Sequence, residues 1–130
     1  MKIESHKEAF AEYLLYIERA KHSVEISKRL LLISCSQAAT EAVSIVLHKL
    51  GIIDESTIIK HTQLDSKKWW NELPDFKEKN KISQFAAELE RTRLLAYGTL
   101  KNMQSDEIIK NISILFQLKS IVEDVSNEKL

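Results

Sequence analysis

Three side chains that could bind an anion or move a proton lie close together between residues 88 and 98. Glu90, Arg93 and Tyr97 are three and four residues apart, which places them on neighbouring positions of one helix side. Arg93 falls near the middle of an apolar stripe formed by Ile82, Phe85, Ala86, Leu89 and Ala96. Arg91 points the opposite way. The segment predicts an inward acid, guanidinium and phenol, with a second guanidinium on another face.

Two interpretations of the inward group remain open. An unpaired buried charge is very costly, so Arg93 must find a partner, and Glu90 is one turn away. The first interpretation is therefore a partly buried ion pair, with the arginine stem packed on Tyr97. The second is an anion site, in which Arg91 or Arg93 binds a phosphate while Tyr97 stacks or donates a hydrogen bond. Helix geometry alone does not separate the two.

Other residues of reactive type give weaker indications. The four histidines show no metal-ligand spacing, and no phosphate-binding loop or dinucleotide motif occurs, so we expect no metal and no cofactor. The single cysteine, Cys35, lies on an apolar stripe and is interpreted as a small core residue. Lys67, Lys68 and Trp69 would suit a nucleic acid, although an amphipathic segment covering the core is the commoner explanation.

Composition predicts one all-α domain spanning residues 1–130. The 19 basic and 19 acidic residues cancel, which argues against broad attraction to nucleic acid or an anionic membrane. Only two glycines and one proline occur, too few for the turns of a strand-rich fold. The start of the chain lacks the apolar region of a secretory signal, and no apolar run approaches a membrane span. We expect a cytoplasmic protein that does not contact membranes.

The hydrophobic periodicity predicts four long helices. The first begins near Glu4 or Ser5, with a break near 27–29, and the second ends at Gly51, expected to adopt a left-handed conformation. The third runs from about residue 75 to 97, with Gly98 as its stop. The fourth begins after Ser105, whose hydroxyl is expected to cap it.

Residues 51–75 are expected to hold short helical pieces. Asp54 is the predicted cap of one piece, and Asp65 or Ser66 caps another that ends at Leu73-Pro74. Trp69 and Trp70 are adjacent, so one is expected in the core and the other at an edge. The predicted architecture is an up-and-down bundle of four long helices with short pieces in the 51–75 connection.

The last helix carries two apolar stripes. A helix that is apolar on two sides lies either inside the bundle or between protomers, and the second arrangement favours a homodimer. The stripes are Ile108, Ile112, Leu115, Phe116 and Val122, and Ile114, Leu118, Ile121 and Val125.

Three segments together resemble the HEPN family (higher eukaryotes and prokaryotes nucleotide-binding domain). SQAATEAVSIVLHKLG is similar to the family's alanine-rich helix, and KHTQL, which contains His61, is similar to its short polar stretch. ELERTRLLAYG then occupies the place of the family's Arg-x(4–6)-His element. The resemblance covers roughly residues 8–125, and the order and spacing of the segments carry more weight than any one of them.

The resemblance implies a helical bundle that dimerises through its Arg-containing helices. Many HEPN proteins are metal-independent ribonucleases of toxin–antitoxin or other defence systems, and others lack catalysis. The family's arginine corresponds to Arg91 or Arg93, while its histidine position holds Tyr97, and tyrosine is a poor base near neutral pH. The expected function is therefore nucleotide or RNA binding around Glu90, Arg91, Arg93, Tyr97 and His61, with weak or no catalysis.

Two alternatives are a metal-independent ribonuclease toxin and a structural bundle that binds a protein partner. For the toxin, the resemblance implies a nucleotidyltransferase-like antitoxin as a possible partner. In the structural bundle, Arg93 would be locked to Glu90 in a buried pair.

Overall fold

In a computed structural model, which describes residues 2–97 and 104–130 apart from the side chains at 25, 26 and 97, the chain is an all-α bundle. Five helices and no strand occur in these ranges, and four of the helices are long, which confirms the predicted fold class. The helices are α1 (Ile3–Ala20), α2 (Val24–Lys49), α3 (Lys67–Glu72), α4 (Lys79–Arg93) and α5 (Ser105–Ser126).

Contacts between the long helices and the residues next to their ends define an up-and-down order. The start of α1 lies beside the end of α2, since Lys2 pairs with Glu55 and His6 pairs with Glu41. Helices α2 and α4 are also antiparallel, and so are α4 and α5. In each pair, the contacting residue numbers rise along one helix as they fall along the other. These contacts are Ser36–Glu90 and Arg29–Ala96, and Thr92–Asn111 and Lys77–Asp124.

Helix α2 is the centre of the bundle and packs against α1, α4 and α5. Ala38, Ala39 and Ala42 are fully buried on it, and their small side chains let the neighbouring helices approach closely. The stretch Ser27–Lys49 is long and apolar enough to cross a bilayer, a property that counting uninterrupted apolar runs had missed. Of the 18-residue apolar window within this stretch, 72% is buried inside the bundle, and this core position accounts for the apolar composition.

The end of α2 has the predicted glycine stop. Gly51 has φ of +72°, and its N–H donates to the carbonyl of His48 while the N–H of Ile52 donates to the carbonyl of Leu47. This pair of bonds is the Schellman arrangement, which satisfies carbonyls left open at a helix end.

The break between the first two helices lies at a short 3-10 turn, Lys21–Ser23, and the prediction near 27–29 was wrong. Ser23 leaves the helical region, with φ of −131° and ψ of 44°, and α2 starts directly after it. The sequence did not reveal this break, because neither glycine nor proline occurs here and the hydrophobic periodicity continues across it.

The connection from 51 to 78 differs in part from the prediction. Asp54 does not cap a helix, because its carboxylate instead accepts hydrogen bonds from Ser56 and Thr57 in a local turn. Ser66 does cap α3, accepting from the N–H of Trp69, and Leu73 is extended before the proline, as predicted. Trp70 is 5% exposed, while its neighbour Trp69 is half-buried, so that assignment is confirmed.

Helix α4 begins later than expected, at Lys79, because Glu78 before it has a left-handed backbone with φ of +65°. The predicted stop at Gly98 lies outside the described residues. Helix α5 starts with Ser105 itself, so the N-cap position is held by Gln104, whose side chain makes no capping bond, and the prediction of a serine at this position was wrong.

Helix α5 buries most of its first apolar stripe and half of its second within the chain, and the remaining residues, Phe116, Ile121 and Val125, are partly buried against the core. The first stripe includes the buried Ile108, Leu115 and Val122, and the second includes the buried Ile114 and Leu118. The two stripes are therefore explained by packing against α2 and α4. They give no separate argument for a homodimer, which stays a prediction.

Candidate functional site

A buried carboxylate between α2 and α4 organises the candidate site. Glu90 is 2% exposed, and its Oε1 accepts a hydrogen bond from the hydroxyl of Ser36 at 2.8 Å. Arg93, one turn further along α4, binds the same carboxylate through two bonds, Nε to Oε1 at 2.8 Å and Nη2 to Oε2 at 2.9 Å. The predicted inward pair of Glu90 and Arg93 is therefore present, in the planar two-bond geometry that suits a guanidinium and a carboxylate.

The hydrogen bonds to Glu90 keep its carboxylate ionised. Burial is the largest single influence on the pKa of Glu90 and raises it, because a low dielectric disfavours the charged form. The bonds from Arg93, Ser36 and His61 together outweigh burial, so the pKa of Glu90 lies below its ordinary value of 4.5. The site thus holds a permanent buried ion pair near neutral pH.

His61 joins this pair from the connection between α2 and α3. Its Nδ1 lies 3.2 Å from Oε2 of Glu90 and 3.1 Å from Nη2 of Arg93. The side chain is 39% exposed, and Nε2 is neither buried nor hydrogen-bonded to another described group. The imidazole therefore has one edge on the buried pair and the other edge at the surface.

The two contacts of His61 require different positions of its proton. With a proton on Nδ1, the ring donates to Glu90, and Nε2 of the neutral ring presents a lone pair to solvent. Without that proton, Nδ1 accepts from Arg93, and Nε2–H becomes a donor at the surface. Arg93 stays bonded to Glu90 in both states. The exposed edge of His61 can thus either accept or release a proton while the buried pair stays intact.

Local structure fixes the position of His61. It begins a 3-10 turn, His61–Asp65, in which the side chain of Gln63 accepts from the N–H of Lys60 at 2.8 Å. Leu64 in the same turn is fully buried, and its carbonyl accepts from Nε1 of Trp70 at 2.9 Å. The turn that carries His61 is therefore anchored to the core through Leu64.

Arg91 lies on the outer side of α4, as helix geometry predicted. Its Nη1 donates to Oδ1 of Asp65 at 2.8 Å and its Nη2 donates to Oε2 of Glu88 at 3.0 Å, while the side chain is 52% exposed. The hydrogen bond that Arg91 donates to Glu88 is the largest influence on its pKa and raises it; burial lowers it, and the bond donated to Asp65 raises it again, so the pKa lies above its ordinary value. Two carboxylates thus compensate the charge of this guanidinium and hold it in place.

The structure brings together three of the five residues singled out from the sequence, His61, Glu90 and Arg93. Arg91 lies apart from them on another face. Tyr97 ends a 3-10 turn that follows α4, and its side chain lies outside the described residues, so its predicted part in the site stays a prediction.

Sequence reasoning missed Ser36. A signal was present, because Ser36, Thr40 and Ser44 form a polar line at four-residue spacing on the most apolar helix. The hydroxyls of Thr40 and Ser44 donate to backbone carbonyls one turn back, at 3.1 and 2.8 Å. Ser36 alone of the three binds another helix. Cys35 beside it is buried, which raises its pKa to about 12 and agrees with an inert core residue.

The described part of the chain contains no group of three histidine, cysteine, aspartate or glutamate side chains placed to hold a metal ion. Separately, the exposed edge of His61 can donate or accept a hydrogen bond and has the ring nitrogen that proton transfer requires.

Replacing Arg93 with methionine, which keeps most of the stem volume, is expected to lower the free energy of unfolding by ~3–5 kcal/mol. The cost arises because Glu90 stays buried without its main partner. Urea denaturation at pH 7 measures the effect, and Arg19→Met on the exposed side of α1 is the matched control. Adding Glu90→Met is expected to recover most of the loss, and equal effects of Arg93→Met and Arg19→Met would contradict a stabilising role for the pair.

The lowered pKa of Glu90 also predicts how stability depends on pH. Above about 4.5, the ordinary value for glutamate, the carboxylate is ionised in both folded and unfolded chains, and its full contribution is present. As pH falls below this value the unfolded chain protonates first, so the contribution is lost on the way down to the folded pKa. Urea denaturation between pH 7 and pH 3 should show that the free energy of unfolding falls less steeply for Glu90→Gln than for the unsubstituted chain. Parallel plots of this free energy against pH would exclude Glu90 as the origin of the pH dependence.

No protein-family model matches the chain, and comparisons with curated proteins and with solved structures find no match. The resemblance to the HEPN family therefore depends on the order and spacing of three sequence segments. Functional inference depends on the geometry of the cluster formed by Ser36, His61, Glu90 and Arg93.

Proposed function

We propose that the chain is a HEPN-like helical domain that binds nucleotide or RNA at the surface above the His61–Glu90–Arg93 cluster. The observation that carries this proposal is the imidazole of His61, which is 39% exposed while its inner edge is held by a buried carboxylate and guanidinium. A fixed ring of this kind offers a directed hydrogen bond to a phosphate or a ribose hydroxyl at little cost in side-chain entropy.

The surroundings of His61 provide local positive charge on a chain whose formal net charge is zero. Lys60, Lys67 and Lys68 are exposed on either side of the turn, and none of them forms an ion pair in the described part of the chain. Three such lysines would give a salt dependence of binding with a slope of about −2 on a double-logarithmic plot for a single strand. The proposal is therefore a modest, local interaction with one short stretch of RNA.

Fluorescence anisotropy with a short labelled single-stranded RNA tests the proposal. His61→Ala is expected to weaken binding by about tenfold, the loss of one hydrogen bond to a charged group. Lys67→Ala is expected to weaken it less and to make the salt dependence shallower.

His22→Ala and Lys129→Ala are the matched controls, since both residues are exposed and lie outside the site. RNA that binds all five proteins equally, or none of them, would reject the proposal.

A second candidate function, metal-independent ribonuclease activity, is favoured by one specific observation. Glu90 and His61 form a carboxylate–imidazole pair with a separation of 3.2 Å, an arrangement that orients the ring and favours one proton position. The sequence places a tyrosine where the HEPN resemblance calls for a histidine, and His61 supplies an imidazole beside Arg93 from another part of the chain.

The reaction that suits this pair is attack of a ribose 2′-hydroxyl on the adjacent phosphate. The proton of the hydroxyl passes to Nε2 of His61 while the bond between O2′ and phosphorus forms and the bond between phosphorus and O5′ breaks. The leaving O5′ takes a proton from water, and the resulting hydroxide removes the proton from His61. The products are a 2′,3′-cyclic phosphate and a 5′-hydroxyl end.

Incubation of RNA with the protein in EDTA tests this second function. Cleavage that leaves cyclic phosphate ends is expected for the unsubstituted chain and is expected to disappear in His61→Ala but not in His22→Ala. RNA that stays intact, or that is cut equally by His61→Ala, would remove the ribonuclease hypothesis and leave the binding proposal in place.

A further inference from the structure

A cleft between α3, the 3-10 turn and α4 lies next to the candidate site. Its volume is about 480 Å³, within the range of about 300–1,000 Å³ that is usual for small-ligand pockets. Leu64 and Trp70 form a buried apolar floor, and the indole N–H of Trp70 donates to the carbonyl of Leu64. The floor therefore offers apolar surface and no polar group of its own.

The charges that line the cleft are largely compensated. Arg91 is bonded to Asp65 and, just outside the lining, to Glu88, so it offers little net attraction to an anion. Lys67 is the one lining cation without a carboxylate partner in the part of the chain that the structure describes. Because two carboxylates fix the guanidinium of Arg91, its flat face is preorganised for stacking. The cleft thus favours a planar, uncharged group over a phosphate.

Two exposed amide side chains also line the cleft, together with Ser83 and Ala87. Asn71 of α3 and Gln84 of α4 face the cleft from opposite elements, and each carries both a donor and an acceptor. In the described ranges neither amide is hydrogen-bonded to another group of the protein. A planar heterocycle with donors and acceptors on its edge matches such amides, and nucleobases are read in this way by proteins that bind single strands.

The cleft and His61 are one turn apart. Leu64 and Asp65, which line the cleft, belong to the same 3-10 turn as His61, and three residues of such a turn advance by about 6 Å. On the other side, Arg91 of the cleft is adjacent in sequence to Glu90 of the cluster. The cleft and His61 are therefore close enough for one nucleic-acid strand to contact both.

We propose that this cleft is a nucleobase subsite that holds one base of the bound strand through Asn71, Gln84 and the face of Arg91. The inference rests on the proposed function and adds to it the part of the ligand that is recognised. It assigns base recognition to the cleft and phosphate or ribose contact to His61, two roles carried by different residues.

Titration with the four uncharged ribonucleosides tests the subsite, with the side-chain amide signals of Asn71 and Gln84 followed by NMR. At least one nucleoside is expected to shift both signals at millimolar concentration, whereas inorganic phosphate and free ribose are expected to leave them in place. Asn71→Ala and Gln84→Ala are each expected to weaken nucleoside binding by about fivefold, equivalent to ~1 kcal/mol for one hydrogen bond. Gln117→Ala, an exposed amide on α5, is the matched control.

Parallel RNA binding by anisotropy separates failure of the subsite from failure of the proposed function. No shift with any nucleoside, or equal shifts with ribose or phosphate, overturns the subsite, while RNA binding that still depends on His61 preserves the proposed function. Nucleoside binding that depends on Asn71 and Gln84 in a protein that binds no RNA supports the cleft and overturns the RNA proposal.

Discussion

A charged carboxylate buried between two helices is the constraint on which the arrangement of this protein depends. Glu90 can remain ionised at 2% exposure only because donors from three separate parts of the chain reach it. Ser36 comes from α2, Arg93 from α4 itself and His61 from the connection that follows α2. The need to solvate one carboxylate therefore fixes the relative positions of two helices and a surface turn.

The two arginines of α4 have different physical roles although they are two residues apart. Arg93 is inside the bundle, where its guanidinium replaces water around Glu90. Arg91 is at the surface, where Asp65 and Glu88 hold it in place and reduce its net field. Neither is a freely moving cation that would attract nucleic acid over a long range. Long-range attraction of nucleic acid to this surface would therefore come from the lysines beside His61 and not from these two arginines.

The sequence predicted the inner face of α4 well and the connection to it poorly. The pairing of Glu90 with Arg93 follows from helix geometry and the cost of a lone buried charge, both of which are local. The contact of His61 with that pair crosses 29 residues and depends on turns that no periodic pattern specifies. The break at Ser23 and the left-handed Glu78 were missed for a related reason, since neither carries the glycine or proline that marks most such positions.

The up-and-down order of the helices also has a kinetic consequence. Helices α1 and α2 are joined by three residues and can form a helical hairpin early, because their contacts need little loop closure. The contact between Ser36 and Glu90 spans 54 residues and must wait until the whole 50–78 crossover has closed. A partly folded chain that holds only the hairpin leaves Glu90 in water and His61 without its orienting carboxylate. The orientation of the His61 ring is thus a property of the closed crossover, and a chain that holds only the helical hairpin lacks it.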